Sequence, residues 1–187
     1  MIFTETKLKG AYIIEPEKFE DERGFFARTF CRREFESYGL NPNVVQCNIS
    51  YNKNKGTLRG MHYQIAPYEE AKLVSCIRGA IYDVIIDLRP DSSTYCQSVA
   101  VTLHGFNFST HPLIHPSSNK LLYIPEGFAH GFLTLSDDAE VFYQMSEFYM
   151  PEYSRGIRWN DPSFNISWPI EVAVISEKDM QYPNFSL

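Results

Sequence analysis

The chain has 187 residues, of which 44% are hydrophobic and 21% charged, a balance that excludes a disordered chain and supplies a sizeable core. Seventeen Lys and Arg stand against 23 Asp and Glu, and the resulting net charge of -6 argues against a broad nucleic-acid-binding surface. No apolar run reaches the roughly 18 to 20 residues of a membrane helix, and no signal peptide is visible. We therefore expect a cytoplasmic protein with neither a nucleic-acid nor a membrane partner.

The chain contains many short apolar or alternating runs separated by turn residues, which is typical of an all-β sandwich or closed barrel. One helix is predicted at 32–38, followed by Gly39 as its C-terminal cap. The segment 104–120 has no periodicity and is predicted to be an extended loop of a single domain spanning 1–187. Ten strands are predicted, at 11–15, 24–30, 43–51, 57–64, 72–77, 80–88, 95–103, 121–124, 131–135 and 139–149.

The four cysteines, Cys31, Cys47, Cys76 and Cys96, include no CxxC pair. Neither a zinc knuckle nor a redox pair is therefore indicated. Because no secretion signal is visible, we expect reduced, mostly buried thiols in a cytosolic protein.

Strand alternation sorts the side chains of two predicted strands by face. In 43–51, Gln46, Asn48 and Ser50 share one polar face, which either contacts solvent or lines a wet cavity of a barrel. In 139–149, Tyr143 and Tyr149 are expected on the same face.

Arg59 and His62 have opposite parity within the strand predicted at 57–64. Both side chains can face one cavity only if the strand is bulged between them. Gly60 is the natural position for such a bulge, because glycine tolerates the backbone geometry.

Residues 125–130 read Pro-Glu-Gly-Phe-Ala-His, which matches the second sequence signature of cupin barrels. The first signature would contain two histidines as HxH, but here Gln64 takes the place of the second, and an amide is a poor metal ligand. A metal site built from His62, Glu69 and His130 is one alternative.

A more specific resemblance runs through eight motifs in order. The motifs are DERGFF at 21–26, QxNxS at 46–50, LRGMHYQ at 58–64, KLV at 72–74, DVIIDLR at 83–89, IPEGFAHGF at 124–132, WND at 159–161 and SEKD at 176–179. Through these motifs the chain resembles the dTDP-4-dehydrorhamnose 3,5-epimerase family over about residues 3–180.

The resemblance implies a metal-free cupin jelly-roll β-barrel with a few short helices, usually dimeric. It implies an isomerase that acts at C3, C5 or both carbons of a nucleotide-linked 4-keto-6-deoxy sugar, without a cofactor. In such a sugar the ketone acidifies the neighbouring protons, so that a base can remove one and an acid can return it to the opposite face. A metal-dependent cupin enzyme is the competing alternative.

The same resemblance assigns catalytic roles to residues that are distant in sequence. His62 matches the base, and an imidazole titrates close enough to neutral pH for proton abstraction. Asp179 matches the carboxylate that orients this histidine, and Tyr143 matches the acid on the opposite face. Lys72 and Arg59 match cations that stabilise the enolate or the diphosphate. Lys72 is therefore expected to be both a catalytic and a substrate-binding residue.

Other positions match the substrate-binding residues of the family. The chain departs from the family pattern at Arg28 and Ser154, where glutamates near the nucleotide are usual, so a GDP-, CDP- or UDP-linked sugar is a further alternative. The aromatic N-terminal strand is expected to pack on the partner of a homodimer by strand exchange, which would place Arg23 in the neighbouring site. The expected substrate-binding residues are Arg23, Arg28, Gln46, Asn48, Arg59, Lys72, His130, Tyr149 and Lys178.

Overall fold

The computed structural model describes residues 1–106 and 119–186. Strands are the main regular structure of the described residues, which also contain two short α-helices, α1 (Arg32–Ser37) and α2 (Glu177–Gln181), and one 3₁₀ turn at Pro151–Tyr153. The strands are β1 (Ile2–Glu5), β2 (Tyr12–Glu15), β3 (Lys18–Asp21), β4 (Gly24–Ala27), β5 (Gln46–Asn52), β6 (Thr57–Gln64), β7 (Lys72–Arg78), β8 (Ala80–Asp87), β9 (Ser98–His104), β10 (Leu121–Ile124), β11 (Phe128–Thr134), β12 (Ala139–Met145), β13 (Ser154–Gly156) and β14 (Val174–Ile175).

Two sheets form a jelly-roll barrel of the cupin type, as the sequence predicts. Sheet I has the strand order β1-β2-β10-β7-β12-β5, and sheet II has the order β13-β6-β11-β8-β9. Neighbouring strands within both orders are antiparallel, while β14 joins β6 in parallel. The hairpin formed by β3 and β4 belongs to neither sheet.

The apolar core fills one side of the space between the two sheets. Sheet I contributes Val74 and Leu122, which are fully buried, and sheet II contributes Ile81 and Ile85, also fully buried. This side of the barrel is formed mainly by β7, β10, β8 and β9. The residues next to these core residues in sequence point to the outer faces of the sheets, because side chains alternate along a strand.

Both outer faces are also covered, so several strands are apolar on both sides. Phe35 of α1 packs against Leu73 and Leu121 on the outside of sheet I. Ile157 and Phe164 from the C-terminal segment pack on the outside of sheet II. These contacts explain why the sequence of β8 reads as a nearly continuous apolar run.

The predicted helix and the ten predicted strands are present, with several boundaries corrected. The strand predicted at 24–30 ends at Ala27, because Phe30 turns to pack against the ring of Phe35. The strand predicted at 139–149 ends at Met145. Most of the loop predicted at 104–120 lies outside the described residues. Within the described ranges no helix is long and apolar enough to cross a membrane.

A register shift in the β6–β11 pairing confirms the bulge expected at Gly60. His130 pairs with His62 and Phe132 pairs with Arg59, so three residue steps on β6 oppose two on β11. Gly60 has a φ of 141°, and a Cβ atom there would lie 2.5 Å from the Cα of Gly131. The two strands can approach this closely only where both residues lack a side chain.

We expect Gly60→Ala to lower the free energy of unfolding by about 3 kcal/mol, since the methyl group meets backbone that cannot move aside. Chemical denaturation measures this loss. Gly39→Ala is the matched control, because Gly39 has a φ of 68° but open space around it, so it reports the backbone strain alone. Equal losses in the two variants would contradict the packing argument.

A buried carboxylate organises the loop between β8 and β9. Asp87 is fully buried and accepts hydrogen bonds from Arg89 Nε at 2.8 Å, from Ser92 Oγ at 2.6 Å and from Thr94 Oγ1 at 2.6 Å. Burial acts to raise the pKa of Asp87, but these donors outweigh it and lower the pKa to about 2. The ionised carboxylate is therefore the form that the fold stabilises.

Because an unfolded aspartate has a pKa near 3.9, Asp87 contributes stability above about pH 4 and loses it as the pH falls toward 2. We expect Asp87→Asn to lower the free energy of unfolding at pH 7 by about 2 to 3 kcal/mol. The variant should also lose less of its remaining stability between pH 5 and pH 2.5 than the wild type. Asp91→Asn, an exposed aspartate of the same loop, is the control; an equal loss there would contradict a specific role for Asp87.

Candidate active site

A cleft of about 810 Å³ opens on the side of the barrel that the apolar core leaves unfilled. Its walls are β5 and β12 of sheet I and β6 and β11 of sheet II. The cleft therefore has one wall from each sheet. Of the residues proposed from sequence, those that line it are Gln46, Asn48, Arg59, His62, Lys72, His130, Tyr143, Tyr149, Lys178 and Asp179.

His62 and Asp179 form a hydrogen-bonded pair at the sheet II wall. His62 Nε2 lies 2.7 Å from Asp179 Oδ1, although 117 residues separate them in the chain. The imidazole is 40% exposed, whereas the carboxylate is 6% exposed. Burial acts to raise the pKa of Asp179, but the hydrogen bond and charge of His62 and the amide of Gly60 lower it below its usual value. The ionised carboxylate thus fixes one ring nitrogen and leaves the imidazole accessible from the cleft.

The first turn of α2 places Asp179 under His62. Ser176 is the N-cap of this helix, and its hydroxyl accepts a hydrogen bond from the Asp179 amide at 3.1 Å. The preceding strand β14 pairs with β6, which carries His62. The C-terminal segment that carries Asp179 is therefore held against β6, the strand that carries His62.

Tyr143 lies on β12, in the opposite sheet from His62, and both side chains line the cleft. Burial raises the pKa of the Tyr143 phenol, while the positive charge of Arg59 acts in the opposite direction. The phenol is therefore protonated at neutral pH and can act as an acid. A flat ligand between the two sheets would meet His62 on one face and Tyr143 on the other.

Lys72 is paired with a glutamate that the sequence reasoning did not assign to substrate binding or catalysis. Its ammonium nitrogen lies 2.7 Å from Glu70 Oε1, and the two side chains are 10% and 4% exposed. Both residues line the cleft. The pair presents a localised ammonium at the sheet I wall, where it can interact with an anionic oxygen.

The polar face of β5 lines the cleft, which decides between the two alternatives left open by the sequence. Gln46 Nε2 donates to Asn48 Oδ1 at 3.2 Å, and its Oε1 accepts from the amide of Tyr149 at 3.2 Å. The apolar residues of this strand are instead on the outer side, where Ile49 is 65% exposed. The strand thus carries hydrogen-bonding groups into the barrel interior.

Tyr149 reaches the cleft from the segment after β12, which corrects the expectation that it shares a strand face with Tyr143. Gln64 holds this segment, since its amide donates to Phe148 O at 3.1 Å and accepts from Met150 N at 2.6 Å. Gln64, which replaces the second cupin histidine, therefore holds the segment after β12 in place.

Lys178 lines the cleft on the C-terminal helix α2, and a hydrogen bond to Tyr182 raises the pKa of its ammonium group.

His130 faces a different carboxylate from His62. His130 Nε2 lies 2.8 Å from Asp83 Oδ1, but the two groups are not aligned as a hydrogen bond, and Asp83 is fully buried. In the described ranges no group of three His, Cys, Asp or Glu side chains could hold a metal ion. The metal site proposed from His62, Glu69 and His130 therefore has no ligand cluster there.

Arg23 and Arg28 do not reach the cleft of their own chain. Arg23 is 85% exposed and pairs with Asp21, while Arg28 is 59% exposed and lies 3.0 Å from Glu34. Of the two positions that depart from the family pattern, Ser154 lines the cleft and Arg28 does not.

Three cleft or supporting residues were missed in the sequence, although each has a signal. Asn52 continues the alternation of polar residues in β5 beyond the predicted end of the strand. Glu70 precedes Lys72 by two residues, which is the spacing of side chains on one face. Ser176 and Asp179 show the spacing of an N-terminal helix cap, which predicts α2.

Comparison with known proteins gives a consistent result across sequence and structure. The family model described as dTDP-4-dehydrorhamnose 3,5-epimerase matches residues 5–186. A dTDP-4-dehydrorhamnose 3,5-epimerase of Methanothermobacter thermautotrophicus is 45% identical over 183 residues, covering 96% of this chain and 92% of the relative.

Solved structures also share the fold over nearly the whole chain, and two of them serve as examples. The crystal structure of dTDP-4-dehydrorhamnose 3,5-epimerase from Elizabethkingia anophelis NUHP1 has a TM-score of 0.89 and 39% identity, covering 99% of this chain and 96% of that one. A dTDP-6-deoxy-D-glucose-3,5-epimerase from Legionella pneumophila, in complex with dTDP-4-keto-L-rhamnose, has a TM-score of 0.86 and 36% identity, covering 98% and 92%. The chain belongs to the dTDP-4-dehydrorhamnose 3,5-epimerase family.

Proposed function

We propose that the protein epimerises C3, C5 or both carbons of a dTDP-linked 4-keto-6-deoxy sugar in deoxysugar biosynthesis, with His62 and Tyr143 as the proton-transfer pair. The observation that carries this assignment is their placement on opposite sheets across one cleft. Inversion at a carbon requires removal of a proton from one face and its return to the other, and a base and an acid on facing walls meet that requirement.

The chemistry follows from the contacts of each group. His62, oriented by Asp179, removes a proton from the carbon next to the ketone, and the electron pair moves onto the ketone oxygen to form an enolate. Lys72 and Arg59 provide positive charge for the oxygen and for the diphosphate. Tyr143 then gives its proton to the opposite face, and solvent restores both groups.

The remaining cleft residues fit the nucleotide. Gln46 and Asn48 offer amide groups, Tyr149 offers a half-exposed ring for base stacking, and Lys178 offers a cation. His130 lies on the strand next to His62 and is assigned to the sugar. The bound ligand of the Legionella relative, dTDP-4-keto-L-rhamnose, supports a dTDP-linked sugar as the substrate.

His62→Asn should abolish exchange of solvent deuterium into C3 and C5 of a dTDP-4-keto-6-deoxy sugar, because the base is removed while a polar side chain remains. We expect the exchange rate to fall by roughly 10³-fold, as measured by NMR or mass spectrometry. His104→Asn changes a histidine outside the cleft lining and should leave the exchange intact. Unimpaired exchange in His62→Asn would refute the assigned base.

Tyr143→Phe should separate exchange from inversion. His62 can still remove a proton and return one to the same face, so deuterium incorporation persists while the epimerised product falls by roughly 10²-fold. Tyr82→Phe, on the outer side of sheet II, is the control and should keep both activities. Normal inversion without the Tyr143 hydroxyl would contradict its role as the acid.

A homodimer with exchanged N-terminal strands would complete this site. The β3–β4 hairpin lies outside both sheets, and its Phe19 and Phe26 are 69% and 67% exposed, so it offers an apolar surface for a second copy. Arg23 and Arg28 flank or belong to this hairpin and are absent from the cleft lining of their own chain. A partner's hairpin is therefore the proposed route by which Arg23 reaches the nucleotide.

Mixing two inactive variants tests this arrangement. If Arg23 acts across the interface, a heterodimer of Arg23→Ala and His62→Asn contains one site with both native residues, and activity returns in the mixture. The activity is measured at low substrate concentration after co-expression, and sedimentation gives the oligomeric state. A monomer in solution, or no recovery on mixing, would count against the exchange.

We also propose that the protein is located in the cytoplasm. All four cysteines are free, and the thiols show no pairing that an oxidising compartment would be expected to produce.

A further inference from the structure

Asn52 is a buried amide directly behind Arg59. It ends β5 and is 2% exposed. Its Nδ2 donates to the carbonyl of Ser50 at 3.1 Å and to that of Ala139, on the neighbouring strand β12, at 3.2 Å. Its Oδ1 accepts from Arg59 Nε at 2.7 Å.

This arrangement determines the orientation of the amide. Both Nδ2 hydrogens are used by carbonyl groups of sheet I, so the oxygen has to point toward sheet II, where Arg59 lies. A flipped amide would place its oxygen against two carbonyl oxygens, which is repulsive. The backbone of sheet I therefore aims one acceptor at the guanidinium.

Arg59 needs such an acceptor because its side chain is long and exposed. The contact with Asn52 uses Nε, and Nη2 makes a long contact of 3.5 Å with the carbonyl of Tyr51. With Nε held, the outer edge of the guanidinium remains for an anion in the cleft. Arg59 and Tyr143 both line the cleft, and the positive charge of Arg59 acts to lower the pKa of the Tyr143 phenol.

We propose that Asn52 is a positioning residue, which holds the Arg59 guanidinium in the orientation that binds the substrate diphosphate. This inference rests on the proposed function, since it takes a nucleoside diphosphate as the ligand of Arg59. Asn52 does not touch the substrate; it acts through Arg59 and couples the ligand contact to the β5–β12 pairing. Loss of Asn52 should therefore matter only while Arg59 is present.

A double-mutant cycle with dTDP and thymidine as probes tests this coupling. Binding is measured calorimetrically for the wild type, Asn52→Ala, Arg59→Ala and the double variant. Asn52→Ala should weaken dTDP binding about 5- to 10-fold, the effect of one hydrogen bond to a charged group, while thymidine, which lacks the phosphates, is affected less than about 2-fold. In the Arg59→Ala background, the same change should weaken dTDP binding less than about 2-fold.

The matched control is Asn41→Ala, which removes an asparagine with side-chain hydrogen bonds outside the cleft lining. It should leave both affinities unchanged. Thermal unfolding of every variant checks the fold. If Asn52→Ala does not fold, Asn52→Ser keeps a small polar group at the position and should show the same dependence on Arg59.

The possible outcomes separate the inference from the proposed function. A wild-type protein that does not bind dTDP contradicts the proposed function itself. If the wild type binds dTDP, an equal effect of the Asn52 change with and without Arg59 overturns the positioning role. The positioning role is also overturned if either Asn52→Ala or Arg59→Ala leaves dTDP binding unchanged.

Discussion

The close approach of β6 and β11 at Gly60 and Gly131 is the constraint on which the site geometry depends. A regular strand would send Arg59 and His62 to opposite faces of sheet II. The bulge lets both side chains line the cleft, and Gly60 can adopt the required backbone only because it has no side chain. The same turn of the backbone directs the Gly60 amide to Asp179 Oδ2 at 3.3 Å. One local irregularity thus brings His62, Asp179 and Arg59 together at the cleft.

The division of the barrel interior explains how a fold held by apolar packing accommodates a polar site. On one side, aliphatic residues from both sheets are fully buried against each other. On the other side, β5 turns its amide groups inward and its apolar residues outward. The polar groups of the cleft are supported from behind by buried partners, such as Asp179 behind His62, Glu70 beside Lys72 and Asn52 behind Arg59. Such support restricts each functional group to few orientations.

Sequence reasoning was most successful where the information is local. Alternation, turn residues and motif order predicted ten of the fourteen described strands, one of the two short α-helices, the bulge and ten of the cleft-lining residues. The short strands β1, β3, β13 and β14 and the helix α2 were not predicted. It was less successful at strand ends, where Phe30 and Tyr149 leave the expected strands because tertiary contacts compete with local preference. The polar face of β5 could not be assigned from alternation, because alternation separates two faces without telling which one a second sheet covers.

The sequence by itself determined the class of fold, the family and the chemical types of the groups available for catalysis. Those properties depend on residue identity and short-range spacing, which the chain carries directly. Only the tertiary structure decided which groups of different elements meet, such as His62 with Asp179 across 117 residues and Arg59 of β6 with Asn52 of β5. It also placed Arg23 and Arg28 outside the cleft of their own chain. The physical reason is that such contacts arise from the packing of two sheets and a C-terminal segment, whose relative positions no local pattern specifies.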